Sequence, residues 1–180
     1  MTRIDSYEDL TDRIVGWLKD YYWEHNIKAF VVGVSGGIDS AVVSTLCAKT
    51  DLPTYALTMP LESKKDNTEL SDAHAKALTD KYDNVIHYNI DLSNSYSQLI
   101  STIGTDTRPE GFTHNRDLIT NQLANANTKS RLRMVTLYHV AGSVGGIVVG
   151  TGNKVEDYGI GFFTKYGDGG VDIAPIADLY

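Results

Sequence analysis

Hydrophobic residues follow two patterns along this chain, and the two patterns alternate. Short runs rich in β-branched residues predict buried parallel strands, which are covered on both faces. Segments in which apolar residues return every three or four positions predict amphipathic helices. The predicted strands cover residues 29–34, 54–59, 85–90 and 147–149, with a further short strand at 173–176. The predicted helices cover residues 6–25, 38–49, 68–82, 93–103 and 118–141.

Two of the predicted helices and two predicted loops have further features. The long helix 118–141 is predicted to be broken near Gly142, because glycine disfavours a helix interior. Polar residues and glycines predict loops at 104–115 and 150–170, the second with the glycine content of a mobile functional loop. The helix at 68–82 is predicted to have one apolar face, formed by Leu70, Ala73, Ala77 and Leu78.

The alternation of strands and helices predicts the fold class. It is typical of an α/β protein with an open parallel sheet and helices on both faces. In such sheets ligands bind beyond the carboxyl ends of the strands. Three segments with chemical character fall at those ends, namely 35–40, 59–60 and 150–156.

Composition narrows the class of partner. The chain has 180 residues, which suits a single domain, and its formal net charge of −7 argues against a nucleic acid or an anionic membrane as partner. The single cysteine, Cys47, allows no intrachain disulfide and is compatible with a reducing cytoplasm. No apolar run approaches the length of a membrane span, and the first residues do not form a signal peptide. We therefore expect a cytoplasmic protein.

The segment 35–40, with the pattern S-G-G-x-D-S, lies between a predicted strand and a predicted helix. Two glycines let a polyphosphate approach the backbone, and the helix that follows adds unpaired N–H groups and the positive end of its dipole. The hydroxyls of Ser35 and Ser40 are expected to donate further hydrogen bonds to phosphate. Asp39 alone would repel phosphate, so we interpret it as a ligand of the magnesium that accompanies ATP. A plain glycine turn is the alternative, which the full pattern makes much less favourable.

Three later stretches add to this pattern. Residues 127–134 place three cations within five positions of a helix, which fits either an anion site or a solvated basic face equally well. Residues 150–157 follow the fourth predicted strand, and residues 161–172 read G-F-F-T-K-Y-G-D-G-G-V-D. This last stretch is too rich in glycine and charge for a core element, and its flanking apolar residues argue against disorder.

The S-G-G-x-D-S loop resembles that of the ATP pyrophosphatase superfamily. Followed by the other three stretches in this order, it resembles the synthetase domain of ammonia-dependent NAD synthetases, from about Val31 to the end of the chain. The resemblance implies a Rossmann-like fold of the adenine nucleotide alpha hydrolase type. It also implies a reaction in which deamido-NAD, ATP and ammonia give NAD, AMP and pyrophosphate through an adenylated intermediate.

The resemblance also implies roles for individual residues. ATP would be bound by the segment up to the start of the helix and by one later threonine: Gly33, Val34, Ser35, Gly36, Gly37, Ile38, Asp39, Ser40 and Thr151. Magnesium would be bound by Asp39 and Glu156, although the neighbouring Asp157 leaves the second ligand open. Deamido-NAD would be contacted by Arg131, Lys165 and Asp172. Lys165 and Asp168 would act at the reacting centre, where Asp168 would position ammonia. A homodimer built around helix 118–141 is implied as well.

The expected organisation is a single synthetase domain over residues 1–180 that lacks the family's C-terminal part. Free ammonia is then the expected nitrogen donor, unless a separate subunit supplies it. Two other functions stay open from the sequence: an AMP-forming amidating ligase for a different carboxylate, and a nucleotide-binding module without full turnover. The loop 159–170 is expected to be mobile in the free protein and ordered with both substrates bound.

Overall fold

The computed structural model describes residues 6–62, 65–104 and 121–180, and for residues 65–67 only the backbone. The helices are α1 Tyr7–Glu24, α2 Ile38–Ala48, α3 Lys65–Lys81, α4 Ser93–Gly104 and α5 Gln122–Val144. The strands are β1 Phe30–Gly33, β2 Thr54–Thr58, β3 Val85–Asn89 and β4 Ile147–Val149, and a π-helical turn spans Val155–Ile160. None of the described helices is both long and apolar enough to cross a membrane.

The four strands form one parallel sheet in the order β3-β2-β1-β4. Val31 of β1 lies between Tyr55 of β2 and Val148 of β4, so β1 is an inner strand. The strand order reverses between β1 and β4, and a crevice opens at the carboxyl ends of strands where such a reversal occurs. The topology therefore places the most favourable ligand position at the ends of β1 and β4.

Helices cover both faces of the sheet, as the alternation of side chains along β1 requires. Phe30 and Val32 point to the face where α1 and α2 pack, and both are fully buried. Val31 points to the opposite face and packs with Met134 and Leu137 of α5. Burial of one such side chain stabilises the fold by about 1.5–3 kcal/mol. The predicted α/β fold class, with helices on both faces of a parallel sheet, is thus confirmed.

The predicted break of the long helix near Gly142 is wrong. Helix α5 continues through Gly142 to Val144 and ends at Gly145, which adopts the left-handed conformation with φ of 65°. Ala141 is buried and packs with the sheet, so tertiary contacts hold the last turn of the helix. The expected start at residue 118 and most of the predicted loop 104–115 lie outside the described residues.

The predicted apolar face of α3 is also wrong. Leu70, Ala73 and Ala77 are exposed, whereas the buried side chains of this helix are Ser71, Ala75 and Leu78. The buried set has spacings of four and three, as a helix face requires. Alanine at several positions made the faces hard to distinguish, because Ala73 and Ala77 are exposed whereas Ala75 is buried.

The end of the chain differs from prediction in two places. Residues 173–176 form no strand, because Ile173 makes a single bridge to Val149 and the backbone then turns. The predicted loop 150–170 contains the π-helical turn Val155–Ile160. Its side chains are largely exposed, while Ile173 and Ile176 return to the core.

Candidate active site

A cavity of about 390 Å³ opens at the carboxyl ends of β1, β2 and β4, where the topology favours a ligand. Its walls come from the ends of these strands, from α3 and α5, and from the glycine-rich segment after β4. Five of the predicted site residues line it: Gly33, Val34, Ser35, Thr151 and Asp168. The structure therefore brings the end of β1 and the start of the phosphate loop (residues 35–40) together with the C-terminal loop (residues 161–172), which is more than a hundred residues away in sequence.

The phosphate loop has the backbone that its glycines allow. Gly36 adopts a left-handed conformation with φ of 85°, which is unfavourable for residues with a side chain. Gly37 is the N-cap of α2 and provides no capping side chain. The first N–H groups of α2 have no carbonyl acceptor within the helix and carry the positive end of its dipole. This end of α2 can therefore bind an anion through its backbone.

The hydroxyls of this loop do not point outward as expected. Ser40 Oγ donates to the Gly37 carbonyl at 2.9 Å and accepts from the Ser35 N–H at 3.1 Å. The two hydroxyls are 3.0 Å apart, so the Ser35 hydroxyl donates to Ser40. Their hydrogen atoms are used within the loop, and a phosphate would have to displace one of them. In this structure the two serines fix the shape of the loop.

Asp39 lies in the first turn of α2, and the segment after β4 reaches it. Asn153 Nδ2 is 3.4 Å from Asp39 Oδ2, and Asn153 Oδ1 accepts from the N–H groups of Val155 and Glu156. Asn153 therefore joins the turn that carries Glu156 to the phosphate loop. The described residues contain no group of three or more acidic, histidine or cysteine side chains arranged for a metal. Two carboxylates together with phosphate oxygens and water are a typical magnesium environment, and these residues fit it.

Asp157 occupies a different environment from Glu156. Its carboxylate packs against Gly152, and a Cβ at that glycine would collide with it. Partial burial, and secondly the charge of Asp168, raise the pKa of Asp157 above its usual value. Glu156 is exposed. Asp157 therefore packs within the segment that follows β4.

The loop around Asp168 is held against α5 by several hydrogen bonds. Ser130 Oγ donates to Asp168 Oδ1 at 2.7 Å and accepts from the Asp168 N–H at 3.1 Å. The Thr164 N–H also donates to Asp168 Oδ1, at 2.9 Å, and the Thr164 hydroxyl donates to Asn127. These contacts fix the orientation of the Asp168 carboxylate at the rim of the cavity.

Gly167 permits this docking because it lacks a side chain. It is buried, and an added Cβ would collide with the Ser130 hydroxyl and lie 3.0 Å from the Cβ atoms of Ser130 and Thr164. Its φ is not left-handed, so the requirement for glycine is one of space.

Lys129, Arg131 and Lys165 lie in different surroundings. Lys129 Nζ is 2.6 Å from a Glu62 carboxylate oxygen and 4.7 Å from the centre of the Tyr96 ring, so it ties α5 to the segment after β2. Arg131 Nε donates to the Lys165 backbone carbonyl at 3.0 Å, and Lys165 Nζ lies 5.1 Å from the centre of the Tyr166 ring. Lys129 is therefore occupied by its neighbours, whereas Arg131 and Lys165 are exposed beside the C-terminal loop.

Asp172 is engaged with the fold. Its Oδ2 accepts from the Val148 N–H at 2.8 Å, and its Oδ1 lies 3.0 Å from the Tyr138 hydroxyl. Partial burial and the adjacent Asp172 raise the pKa of Tyr138 to about 12, so the phenol is protonated and donates. These bonds attach the end of the C-terminal loop to β4 and α5. A substrate could use only the remaining lone pairs of Asp172.

Sequence reasoning missed several residues that shape the cavity. Asn127, Ser130 and Tyr138 share one face of α5, and Asn153 follows β4; Arg133, on the same face of α5, was noted only as one of the three cations of residues 127–134. The spacing of the α5 members, three to five residues apart, is the signal that could have indicated them. Their polar character on a face that also carries buried apolar side chains is the second signal.

Known proteins resemble this chain over nearly its whole length. A protein named NH(3)-dependent NAD(+) synthetase from Carboxydothermus hydrogenoformans is 38% identical over 177 residues, which are 97% of this chain and 66% of that relative. A protein of the same name from Mycoplasmopsis pulmonis is 40% identical over 96% of this chain and 60% of its own length. The chain thus spans slightly less than two thirds of the length of these curated relatives.

Solved structures show the same likeness. The structure of NMN synthetase from Francisella tularensis superimposes with a TM-score of 0.82 at 33% identity, covering 98% of this chain and 66% of that one. The NH3-dependent NAD synthetase from Campylobacter jejuni superimposes with a TM-score of 0.79 at 27% identity, covering 98% and 69%. The family model described as NAD synthase matches residues 10–180. On the evidence of this match and of the site at the ends of β1 and β4, the chain belongs to the NAD synthase family.

Proposed function

We propose that this chain amidates deamido-NAD with ammonia at the expense of ATP, releasing AMP and pyrophosphate. The observation that carries the proposal is the shared cavity, which has the phosphate loop on one side and the docked loop around Asp168 on the other. A ligase of this kind must hold a triphosphate and a second substrate in contact. The three hydrophobic clusters are built on the same sheet, which supports a single synthetase domain.

The first step joins two anions. A carboxylate oxygen of deamido-NAD would bond to the α-phosphorus of ATP, and pyrophosphate would leave. The backbone N–H groups at the start of α2 would bind the polyphosphate, and each well-placed donor of this kind contributes about 3–4 kcal/mol to the barrier reduction. Magnesium held by Asp39 and Glu156 would further screen the repulsion between the anions. Thr151 lines the same cavity as Ser35, which supports a contact of Thr151 with ATP.

The second step needs the C-terminal loop. Ammonia would attack the carbonyl carbon of the adenylate, a C–N bond would form, and AMP would leave with the oxygen. Asp168 has a fixed carboxylate at the cavity rim and would accept a hydrogen bond, and finally a proton, from the nitrogen. Arg131 and Lys165 would bind the pyrophosphate or carboxylate of the dinucleotide, since guanidinium and ammonium groups pair well with both.

The direct test measures product formation. The chain is incubated with ATP, magnesium, deamido-NAD and ammonium, and AMP and NAD are separated by chromatography. We expect equal amounts of the two products and none without ammonium. An Asp39→Ala variant is the control for contaminating activity. Binding of both substrates by calorimetry without any AMP would instead establish a nucleotide-binding module.

A second candidate function differs from the first in having a smaller substrate. It rests on the Francisella tularensis structure, which is named NMN synthetase and superimposes with a TM-score of 0.82. If this chain acts as that protein is named, it would amidate the acid form of a mononucleotide. Comparing kcat/KM for nicotinic acid mononucleotide and for deamido-NAD decides between them. We expect the dinucleotide to be the better substrate, and a preference for the mononucleotide would reverse the assignment.

We also propose a homodimer that involves α5. This helix exposes large apolar side chains at Leu123, Val135 and Tyr138, in addition to those that it buries against the sheet. Exposed apolar residues along one helix favour association with a second surface. Sedimentation at micromolar concentration should show a dimer, and a monomer throughout would contradict this part of the proposal.

A further inference from the structure

A second, smaller cavity lies on the other side of the phosphate loop. It has a volume of about 290 Å³ and lies between the start of α2 and α3. Residues of the phosphate loop form one wall, and Leu70 and His74 of α3 form the other. His74 has no role in the chemistry described above, yet it is the polar side chain that α3 contributes to this wall.

His74 contacts the phosphate loop through Ser44. His74 Nε2 is 2.9 Å from Ser44 Oγ, and Ser44 Oγ is 2.7 Å from the Ser40 carbonyl. A hydroxyl has a single hydrogen, and the short contact assigns it to the Ser40 carbonyl. With the hydroxyl hydrogen assigned to the carbonyl, the tautomer of His74 that completes the contact carries its hydrogen on Nε2 and donates it to Ser44. Ser44 is fully buried, so loss of this donor would leave part of its hydrogen-bonding capacity unsatisfied.

Hydrogen bonds continue from Ser44 through Ser40 into the phosphate loop. Ser40 receives the Ser44 hydrogen at its carbonyl, and its own hydroxyl donates to the Gly37 carbonyl. The same hydroxyl accepts from Ser35. The series His74, Ser44, Ser40 and Gly37 thus joins α3 to the residues whose N–H groups would face phosphate. Within this series, the bond from His74 and the bond to the Ser40 carbonyl share the Ser44 hydroxyl and polarise each other.

We propose that His74 is a positioning residue for the phosphate loop, acting through Ser44 and Ser40 on the affinity for the ATP polyphosphate. The proposal rests on the proposed function only in taking ATP as the ligand of this loop. Partial burial lowers the pKa of His74 below its usual value, so the ring is mainly neutral at neutral pH. Its contribution is then one of geometry, since a neutral ring offers phosphate no charge.

Substitutions separate positioning from simple packing. His74→Gln keeps an amide N–H at about the reach of Nε2, whereas His74→Asn places its amide too close to the backbone to reach Ser44. His87 provides a matched control, because its Nε2 lies 2.9 Å from the hydroxyl of Thr58, outside the phosphate loop. His87→Asn removes a contact between a histidine and a hydroxyl, as His74→Asn does, but this one joins the neighbouring strands β2 and β3.

The measurement is the affinity for ATP with magnesium, by calorimetry, together with thermal unfolding of each variant. We expect His74→Asn to weaken ATP about tenfold, the loss of roughly one hydrogen bond. His74→Gln should stay within about threefold of the wild type, and His87→Asn should lose stability without losing ATP affinity. Unchanged affinity in His74→Asn, or an equal loss in His74→Gln and His74→Asn, would overturn the proposal while leaving the proposed function intact.

Hydrogen exchange tests the same inference without ATP. In the free protein, His74→Asn should speed exchange of the amides of residues 35–41 relative to His87→Asn at equal global stability. Equal exchange in the two variants would refute the positioning role. A wild-type chain that does not bind ATP would contradict the proposed function, and the exchange result would still decide the role of His74.

Discussion

Replacement of Gly167 by alanine tests whether the close contact between the C-terminal loop and α5 sets the activity. The added methyl group would collide with the Ser130 hydroxyl and lie 3.0 Å from the Cβ atoms of Ser130 and Thr164. Carbon atoms normally pack at about 3.5–4.0 Å. The loop must therefore move outward by several tenths of an ångström to about 1 Å.

That movement acts on Asp168. The two bonds between Ser130 and Asp168, at 2.7 and 3.1 Å, lengthen with the loop, and each contributes about 1 kcal/mol. A displacement of about 1 Å in a reacting group lowers the rate by about a hundredfold. We expect the rate of AMP formation in Gly167→Ala to fall by about 10- to 100-fold. The affinity for ATP should change little, because the phosphate loop is on the other side of the cavity.

A matched control lies in the same segment. Gly159→Ala introduces the same methyl group, but its neighbours are 3.6 Å and 4.0 Å away, an ordinary packing distance. Both variants are assayed for AMP formation under saturating ATP and for thermal stability. Equal rates in the two variants would refute the argument from close packing. The double variant Ser130→Ala/Gly167→Ala should lose less than the sum of the two single losses, because the collision with the Ser130 hydroxyl is shared while the contacts with the Cβ atoms of Ser130 and Thr164 remain.

Four further outcomes are expected. Asp39→Ala should lower AMP formation at least about tenfold with an unchanged circular dichroism spectrum, and an unaltered magnesium dependence would remove Asp39 from the mechanism. Arg131→Ala should weaken the binding of deamido-NAD by more than about 1.5 kcal/mol and the binding of ATP by less. If calorimetry showed the reverse, the two binding sites would have been assigned the wrong way round. Leu57→Ala should destabilise the fold by about 2–5 kcal/mol in urea, because Leu57 is fully buried, and a loss under 1 kcal/mol would contradict its place in the core. The amides of residues 159–170 should exchange quickly in the free protein and slowly with both substrates bound, and equally strong protection in both states would refute gating.

Local patterns were enough to predict the four strands of the sheet and the turn between β1 and α2, although not the absence of a strand at 173–176. Residues 147–149 form the fourth strand with the predicted bounds, and the first three strands end within one residue of prediction. A short apolar run followed by S-G-G marks both ends of a strand. The apolar run favours a buried strand, and the glycines favour a turn of the backbone after it. Such features depend on residues adjacent in sequence, which a single chain displays.

Features that depend on distant residues were not predicted. The buried face of α3 is selected by its distance to β2 and β3, and alanine at position 75 gives no stronger signal than alanine at 73 or 77. The contact between Ser130 and Asp168 joins residues 38 positions apart. The Ser35 and Ser40 hydroxyls point toward each other because of the loop conformation, which the sequence pattern alone does not specify.

The placement of the site residues depends on α5 as much as on the sheet. Arg133 Nε donates to the Met59 carbonyl at the end of β2, and Ser130, one turn earlier, holds Asp168. Tyr138, two turns after Ser130, holds Asp172 beside β4. Because these side chains share one continuous helix, their spacing cannot change without moving Met134 and Leu137 out of the core. The buried face of α5 therefore fixes the distance between the strand ends that form the cavity and the loop that borders it.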